Sequence, residues 1–297
     1  DAFADAVEQG VVFGRVTPLQ KQAMVRAMQS RGHTVAMTGD GVNDVLALKD
    51  ADCGVAMASG SEATRAVAQL VLLDSNFAAM PYVVAEGRRV INNIERVASL
   101  FLTKTVYSTI LAIVTGLSGL TFPFRPRHLT LISALTIGIP AFFLALAPNS
   151  ERVRKGFLRR VAGFAVPGGI YAFASVLVTY IIATADPAVD ITERRTAAVM
   201  AAGGVGFIVL ARIASPLNPL RITLIATMAG AFVVALIVPF VADFFELDLP
   251  DPFLIVVVGA FVGGAWPVLE VGARLVDQVR VAWERRHPDQ VDPEPGL

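Results

Sequence analysis

The sequence predicts an α/β unit joined by one long helix to an all-α membrane domain. Three observations lead there. Over residues 1–79, short apolar runs of strand type alternate with short helices. From residue 80 one helical pattern passes without a break from charged into apolar sequence. Six apolar stretches then follow, each near the roughly 20 residues that a bilayer-spanning helix needs. Composition agrees: 55% of the 297 residues are hydrophobic and 17% charged, more apolar than an ordinary soluble domain.

The α/β unit begins with Asp1-Ala2-Phe3-Ala4-Asp5-Ala6, which reads as the middle of a folded element, with no basic-then-apolar leader. The chain is therefore expected to be a piece of something longer. After the apolar run 11–16, Thr17-Pro18-Leu19-Gln20 supplies an N-cap, a first-turn proline and a capping-box glutamine. A helix is predicted over 18–30, with Ala23, Met24, Ala27 and Met28 on one face and Gly32 as a left-handed cap. Strands at 33–37, 54–58 and 70–73 and helices at 43–50 and 62–69 complete the pattern. Strand and helix alternating through short loops predict a parallel sheet with helices on both faces.

Residues 80–96 form an expected stalk carrying Glu86, Arg88, Arg89, Asn92, Asn93, Glu95 and Arg96. The membrane domain occupies 97–275, with spans at 97–120, 129–147, 161–185, 197–214, 222–242 and 253–273. Six core helices of a soluble protein are the alternative, and they fail because no polar face recurs along these stretches. A tail, 276–297, follows, its Pro-rich end 288–297 expected to be disordered.

Basic residues set the orientation. Arg88, Arg89 and Arg96 in the stalk, Arg152, Arg154, Lys155, Arg159 and Arg160 after the second span, Arg212 and Arg221 after the fourth, and Arg274, Arg280, Arg285 and Arg286 in the tail belong on the cytoplasmic side. Asp186, Asp190 and Glu193, and then Asp243, Glu246, Asp248 and Asp251, lie in the opposite loops, where Arg125, Arg127, Arg194 and Arg195 are exceptions. Both the N-terminal unit and the C-terminus are thus expected in the cytoplasm. With 25 basic and 25 acidic residues, bulk positive charge cannot drive nucleic-acid binding. One cysteine, Cys53, excludes a disulfide framework and a cysteine-built metal site, and it reads as a small buried residue. Arg outnumbers Lys 21 to 4, which with abundant Ala and Val is what a GC-rich bacterial genome writes.

Chemistry concentrates in Met37-Thr38-Gly39-Asp40-Gly41-Val42-Asn43-Asp44, at the carboxyl end of a strand, where ligands of open α/β sheets bind. Asp40 and Asp44 are hard oxygen donors suited to Mg²⁺, which keeps several waters and shares a substrate phosphate. Gly39 and Gly41 let backbone approach a ligand closely. Asn43, with free N–H groups at the helix start, could hold phosphate oxygens. Lys21, near the start of the preceding helix, could bring a positive charge to the same edge. An isolated Gly-Asp-Gly is ordinarily a tight turn with a helix cap after it. Eight residues in this order between a buried strand and a helix make that reading less tenable.

This segment, followed by Ala47-Leu48-Lys49, Ala51-Asp52 and Gly54-Val55-Ala56-Met57, resembles the hinge motif of P-type ATPases, cation pumps with a haloacid-dehalogenase-like (Rossmannoid) phosphorylation domain. The likeness extends upstream through Gly14-Arg15-Val16-Thr17-Pro18-Leu19-Gln20-Lys21 and downstream through Gly87-Arg88-Arg89-Val90-Ile91-Asn92-Asn93-Ile94. The resemblance implies that residues 1–79 are the C-terminal part of the phosphorylation domain. It implies that Asp40 is a ligand of the catalytic Mg²⁺, that Lys21 and Asn43 contact the transferred phosphoryl group, and that Asp44 shapes the same pocket. ATP would be the substrate. The family's Asp-Lys-Thr-Gly acceptor motif does not occur in these residues, so the chain resembles the C-terminal part of a pump and is expected to hydrolyse nothing alone.

The segment from His128 to Pro140 is similar to the sixth span of such pumps. Aligned on Gly138 and Pro140, the usual ion-coordinating Asn and Asp positions hold Ser133 and Ile137, while Thr136 keeps a hydroxyl. In the first span the corresponding positions hold Thr105 and Ser108. Calcium takes six to eight oxygens, so a carboxylate from a fourth span outside this sequence would dominate, which implies one transported ion. Lys104 is the only charge inside these two spans, and an intramembrane charge marks function by default. It aligns with a lysine of the gastric proton pump, whose ammonium would replace a second cation; snorkelling to the interface is the alternative. Tyr107 reads as packing filler, Trp266 and Trp283 as interface anchors or tail packing, and Glu270 as the partner of Arg274 one turn on.

The expected function is the C-terminal portion of an ATP-driven cation pump working through an aspartyl phosphate, most similar to actinobacterial cation-transporting ATPases of the calcium-uptake type. Ca²⁺ is the first choice of ion, with Mg²⁺, Mn²⁺, a monovalent cation or H⁺ as alternatives. A membrane-tethered phosphatase with the same Mg²⁺ site and a non-catalytic partner of a separate catalytic subunit are the rival readings. The implied partners are the lipid bilayer, the transported cation and the missing N-terminal part of the protein or such a subunit. The implied location is the plasma membrane.

Overall fold

The computed structural model describes residues 2–149, 151–153 and 156–286. Arg154, Lys155 and residues 287–297, and the side chains of Arg280, Trp283, Arg285 and Arg286, lie outside what is described. The chain divides into two compact units, Asp1–Ala85 and Glu86–Leu297.

In the first unit α1 (Ala2–Gln9) packs on α2 (Pro18–Ser30). The expected capping box is formed: the Thr17 hydroxyl accepts from Gln20 N–H, and the Gln20 side chain accepts from Thr17 N–H at 2.9 Å. Gly32 adopts φ +82°, the left-handed conformation that ends the helix. The strands β1 (Ala36–Gly39), β2 (Cys53–Met57) and β3 (Leu70–Leu72) form a parallel sheet in the order β1-β2-β3. β1 starts three residues later than the pattern predicted, because the ladder to β2 begins at Ala36 opposite Cys53. Cys53 thus opens β2 and is half-buried, rather than lying buried after a strand.

Helices α3 (Val45–Asp50) and α4 (Glu62–Val67) follow β1 and β2. Because the strand order advances in one direction, right-handed crossovers place both on the same face of the sheet. They touch each other, and α2 packs on α3, with Val25, Ala47 and Ala51 buried between them. The helix layer seen here therefore covers one face, where two were expected.

Carboxylates brace this layer. Asp50 accepts from Arg26 Nε at 2.6 Å and Gln22 Nε2 at 2.8 Å, and Asp52 accepts from Val35 N–H at 2.8 Å. Those contacts hold both carboxyls below the usual carboxylate range, Asp50 chiefly through Arg26 and Asp52 chiefly through the Val35 amide. Glu8 is lowered in the same way by His33 and then Arg31, which also binds Asp5.

In the second unit the described residues contain six helices long and apolar enough to cross a membrane: Phe77–Ser118, Pro126–Leu146, Phe157–Ala185, Ile191–Ile213, Pro219–Ile237 and Pro252–Gly272. Each overlaps one apolar stretch of the sequence, and the ends differ. α5 (Met80–Ser118) is continuous. The second crossing is broken into α6 (Pro126–Ser133), a π-helical segment (Ala134–Gly138) and α7 (Ile139–Leu146). Pro140 supplies no amide donor, and Ile139 N–H reaches back five residues to Ala134 O. α8 (Phe157–Ala185), α9 (Ile191–Ile213) and α12 (Pro252–Arg286) pack closely on one another. The fifth expected stretch, 222–242, divides into α10 (Pro219–Ile237) and α11 (Pro239–Phe245), with the break at Pro239.

Polar side chains tie the helix ends together. Asn93, 2% exposed, donates to Ala145 O and Ala147 O, both at 2.9 Å, capping carbonyls at the end of α7. His128 is fully buried: Nδ1 accepts from Arg125 N–H, so Nε2–H donates to Phe245 O at 2.9 Å. Glu95 pairs with Arg160 through both carboxylate oxygens, at 2.9 and 2.7 Å. Three of the four basic residues that broke the loop-charge pattern have partners: Arg125 and Arg127 pair with Glu246, and Arg194 donates to Val189 O and Asp186 O, while Arg195 Nε is buried without an acceptor among the described residues. Glu270 meets Arg274 as expected and also Arg212, whose guanidinium lies 5.5 Å from the centre of the Trp266 ring.

Glu8, Asp50 and Asp52 have lower pKa values folded than unfolded, so the stability they contribute is complete above about pH 5 and is lost as pH falls below their ordinary values and through the lowered folded ones. Hydrogen exchange in α1, α2 and α3 should accelerate, after correction for intrinsic rates, between pH 6 and pH 3.5, and Asp52→Asn should flatten that dependence. Equal protection at both pH values would contradict the assignment.

Candidate functional site

At the carboxyl edge of β1 the chain leaves Gly39, turns through Asp40 and Gly41, and enters a single 3-10 turn at Val42–Asp44 before α3. The turn folds the Asp44 side chain back under Gly39. A Cβ on Gly39 would sit 2.5 Å from Asp44 Cβ and 2.7 Å from its Cγ, so only glycine leaves room for this arrangement. Asp44 is 7% exposed. One carboxylate oxygen accepts from Lys21 Nζ at 2.6 Å, and the other accepts from Gly41 N–H at 3.4 Å. The capped first turn of α2 aims Lys21 at the turn, as the sequence suggested.

Asp40 and Asp44 therefore differ. Both read from the sequence as oxygen donors for Mg²⁺, and the structure places them differently: Asp44 is buried and bonded to Lys21 and Gly41, while Asp40 is exposed. Among the described residues the Asp40 side chain has no hydrogen-bond or ion-pair partner. Its backbone is fixed instead, with Asp40 O accepting from Ser61 N–H at 2.8 Å and from the Thr64 hydroxyl at 3.4 Å. Asn43 is exposed beside it. A partner-free carboxylate in water, on a backbone held from behind, is a donor that fits Mg²⁺.

Sequence reasoning missed the loop that holds Asp40. A Cβ on Gly60 would meet Asp40 O at 2.6 Å, Ser61 caps α4 through Thr64 N–H, and Thr64 is fully buried. The signal was present as a Ser-x-x-Thr cap before α4, but its target lies 24 residues away and carries no sequence mark. No group of three or more His, Cys, Asp or Glu side chains that could hold a metal occurs among the described residues.

Within the second unit a cavity of 20 Å³, room for one water, is lined by Lys104, Thr103, Tyr107 and Thr136 among apolar neighbours. A groove beside it is lined by Lys104, Ser133, Thr130 and Gly138. The structure thus brings Lys104, Ser133 and Thr136 together. Thr105 and Ser108 line neither space: their hydroxyls donate to Phe101 O and Thr105 O of their own helix, and Thr105 is exposed. Thr103 and Tyr107 take that face instead, since helical spacing turns 103 and 107 inward and 105 outward. Tyr107, expected to be packing filler, is 6% exposed with its hydroxyl buried and unpartnered.

Gly39→Ala should displace Asp44 from Lys21 and cost about 1–3 kcal/mol. Gly41→Ala, whose new Cβ would meet nothing closer than Asp44 Oδ2 at 3.8 Å, should stay within about 0.5 kcal/mol. Denaturant unfolding compares them, and equal costs would contradict the packing described.

Residues 21–83 match the haloacid dehalogenase-like hydrolase family. The chain is 52% identical over 262 residues to the calcium-transporting ATPase CtpE of Mycolicibacterium smegmatis, covering 84% of this chain and 33% of that protein. Against CtpE of Mycobacterium tuberculosis the identity is 51% over 261 residues, with the same coverage. The probable cation-transporting ATPase exp7 of Streptococcus pneumoniae is 38% identical over 249 residues, covering 81% of this chain and 32% of that protein. The chain spans about a third of the length of these relatives. With its hinge motif set at the edge of a parallel sheet, six helices able to cross a membrane and relatives matched along four fifths of its length, the chain belongs to the P-type cation-transporting ATPases.

Proposed function

We propose that this chain is the C-terminal portion of an ATP-driven pump for Ca²⁺ that works through an aspartyl-phosphate intermediate. The observation that carries the proposal is the partner-free Asp40 carboxylate beside the Lys21–Asp44 pair at the sheet's carboxyl edge. The choice of ion rests on relatives named as calcium-transporting. Residues 1–79 would be the C-terminal part of the phosphorylation domain, 80–96 the stalk, 97–275 the membrane domain and 276–297 a cytoplasmic tail. The protein would sit in the plasma membrane of a bacterium, with the α/β unit and C-terminus in the cytoplasm.

In this reading Asp40 would hold Mg²⁺, which when bound would supply positive charge beside the transferred phosphoryl group. Lys21 and Asn43 face that group's oxygens, with the amides of the Gly39–Gly41 turn close by. Asp44 fixes the Lys21 ammonium in place. Positioning and charge neutralisation are what phosphoryl transfer asks of a protein. The acceptor aspartate and ATP-binding elements would lie in the two thirds of the relatives' length that this chain does not span. A continuous α5 supports a pump over a tethered phosphatase, which needs no helix running from the phosphorylation domain into the membrane.

Along the ion path, Lys104 and Thr136 are the assigned groups, with Thr103 and Tyr107 beside them and Ser133 on the neighbouring groove. The Lys104 ammonium occupies space that a second cation would otherwise take, so one Ca²⁺ moves per cycle. In the full-length protein, Asp40→Ala should abolish the acid-stable phosphoenzyme formed from radiolabelled ATP while membrane insertion persists. Normal phosphoenzyme in that variant would remove Asp40 from the metal site. Lys104→Ala should alter ion stoichiometry or the pH profile of transport and leave phosphorylation by ATP intact. An unchanged profile with unchanged stoichiometry would return Lys104 to the interface.

A further inference from the structure

One end of the helical unit holds two arginines whose donors are not used up. Arg221, in the first turn of α10, is 8% exposed. Its Nη1 donates to Ala214 O and Pro216 O, both at 2.9 Å, which are neutral acceptors. Its Nε–H is buried and has no acceptor. Arg96, on α5, has a buried Nη1 without an acceptor and, among the described residues, no ion pair. The two guanidiniums are near enough for Arg96 to feel the charge of Arg221, along with those of Glu95 and Glu151. Neither acid answers them: Glu95 is committed to Arg160 through both oxygens, and Glu151 is exposed.

A buried guanidinium without an anion is strongly disfavoured, and its planar fork of N–H donors matches the oxygens of a phosphate. Leu217, Leu220 and Ile222, which flank Arg221 in sequence, are exposed large apolar residues. We propose that Arg96 and Arg221 form a binding site for a phosphate oxyanion, supplied by the headgroup of an anionic phospholipid whose acyl chains lie along the apolar residues beside Arg221. Neither arginine of this site lines the Lys104 cavity. Its ligand would hold the α9–α10 loop against the start of the membrane-crossing part of α5.

Native mass spectrometry of the full-length protein tests this with phosphatidylglycerol, phosphatidylcholine and inorganic phosphate as probes. The wild type should retain phosphatidylglycerol over phosphatidylcholine, and Arg96→Gln should reduce that retention about tenfold. Arg96 gives up no hydrogen bond on substitution, so this variant keeps its fold where Arg221→Gln, which frees two carbonyls, can fail. Inorganic phosphate that binds the wild type and is lost in Arg96→Gln, with no lipid preference, would support the oxyanion site with a soluble source. Equal retention of phosphatidylglycerol by wild type and Arg96→Gln, without phosphate binding, would overturn it.

Discussion

A peptide group in hydrocarbon has no water to bond, so each amide and carbonyl that a helix leaves open must be answered from within the protein. That constraint accounts for much of the polar chemistry in the helical unit. Where Pro140 and Pro239 interrupt helices, or a helix simply ends, a buried side chain reaches across to the open carbonyls. Asn93 serves the end of α7, His128 the end of α11, and Arg221 the loop after α9. These contacts are structural, and Arg221 keeps a buried Nε–H that none of them uses. Among the other polar groups, Lys104, Tyr107 and the π-helical stretch around Thr136 gather at one small cavity.

The same division of labour organises the α/β unit. Two aspartates four residues apart look equivalent on paper. Folding separates them, because the turn after Gly39 buries Asp44 against Lys21 and leaves Asp40 pointing into water. Asp44 fixes a cation, and Asp40 remains available to one. Rigidity comes from behind, through Gly60, Ser61 and Thr64, so the free carboxylate sits on a backbone that does not have to be ordered when a ligand arrives.

The architecture was legible because its signals are local. A capping box, a proline-glycine pair bounding α2, alternating short elements and six apolar stretches specified nearly every element. Errors occurred where distant residues decide. The start of β1 is set by its ladder with β2, the helix layer on one face by strand order, and the Thr64 contact by a loop 24 residues from Asp40. In the membrane, the resemblance to related pumps points to Thr105 and Ser108, and the residues of α5 that line the cavity among the described helices, Thr103 and Tyr107, carry no such mark. The partners of Arg125, Arg127 and Arg212 are equally unreadable from loop charge alone, since each lies on another helix or its end.

The central claim is that phosphoryl chemistry at the Asp40 edge drives a cation across the six-helix unit. ATP-dependent ⁴⁵Ca²⁺ accumulation in sealed vesicles containing the full-length protein tests it most directly. The account predicts accumulation that requires both ATP and Mg²⁺ and that an ionophore releases. Phosphate release with no ion accumulation, for Ca²⁺ or any other cation, would contradict it and leave a membrane-tethered phosphatase.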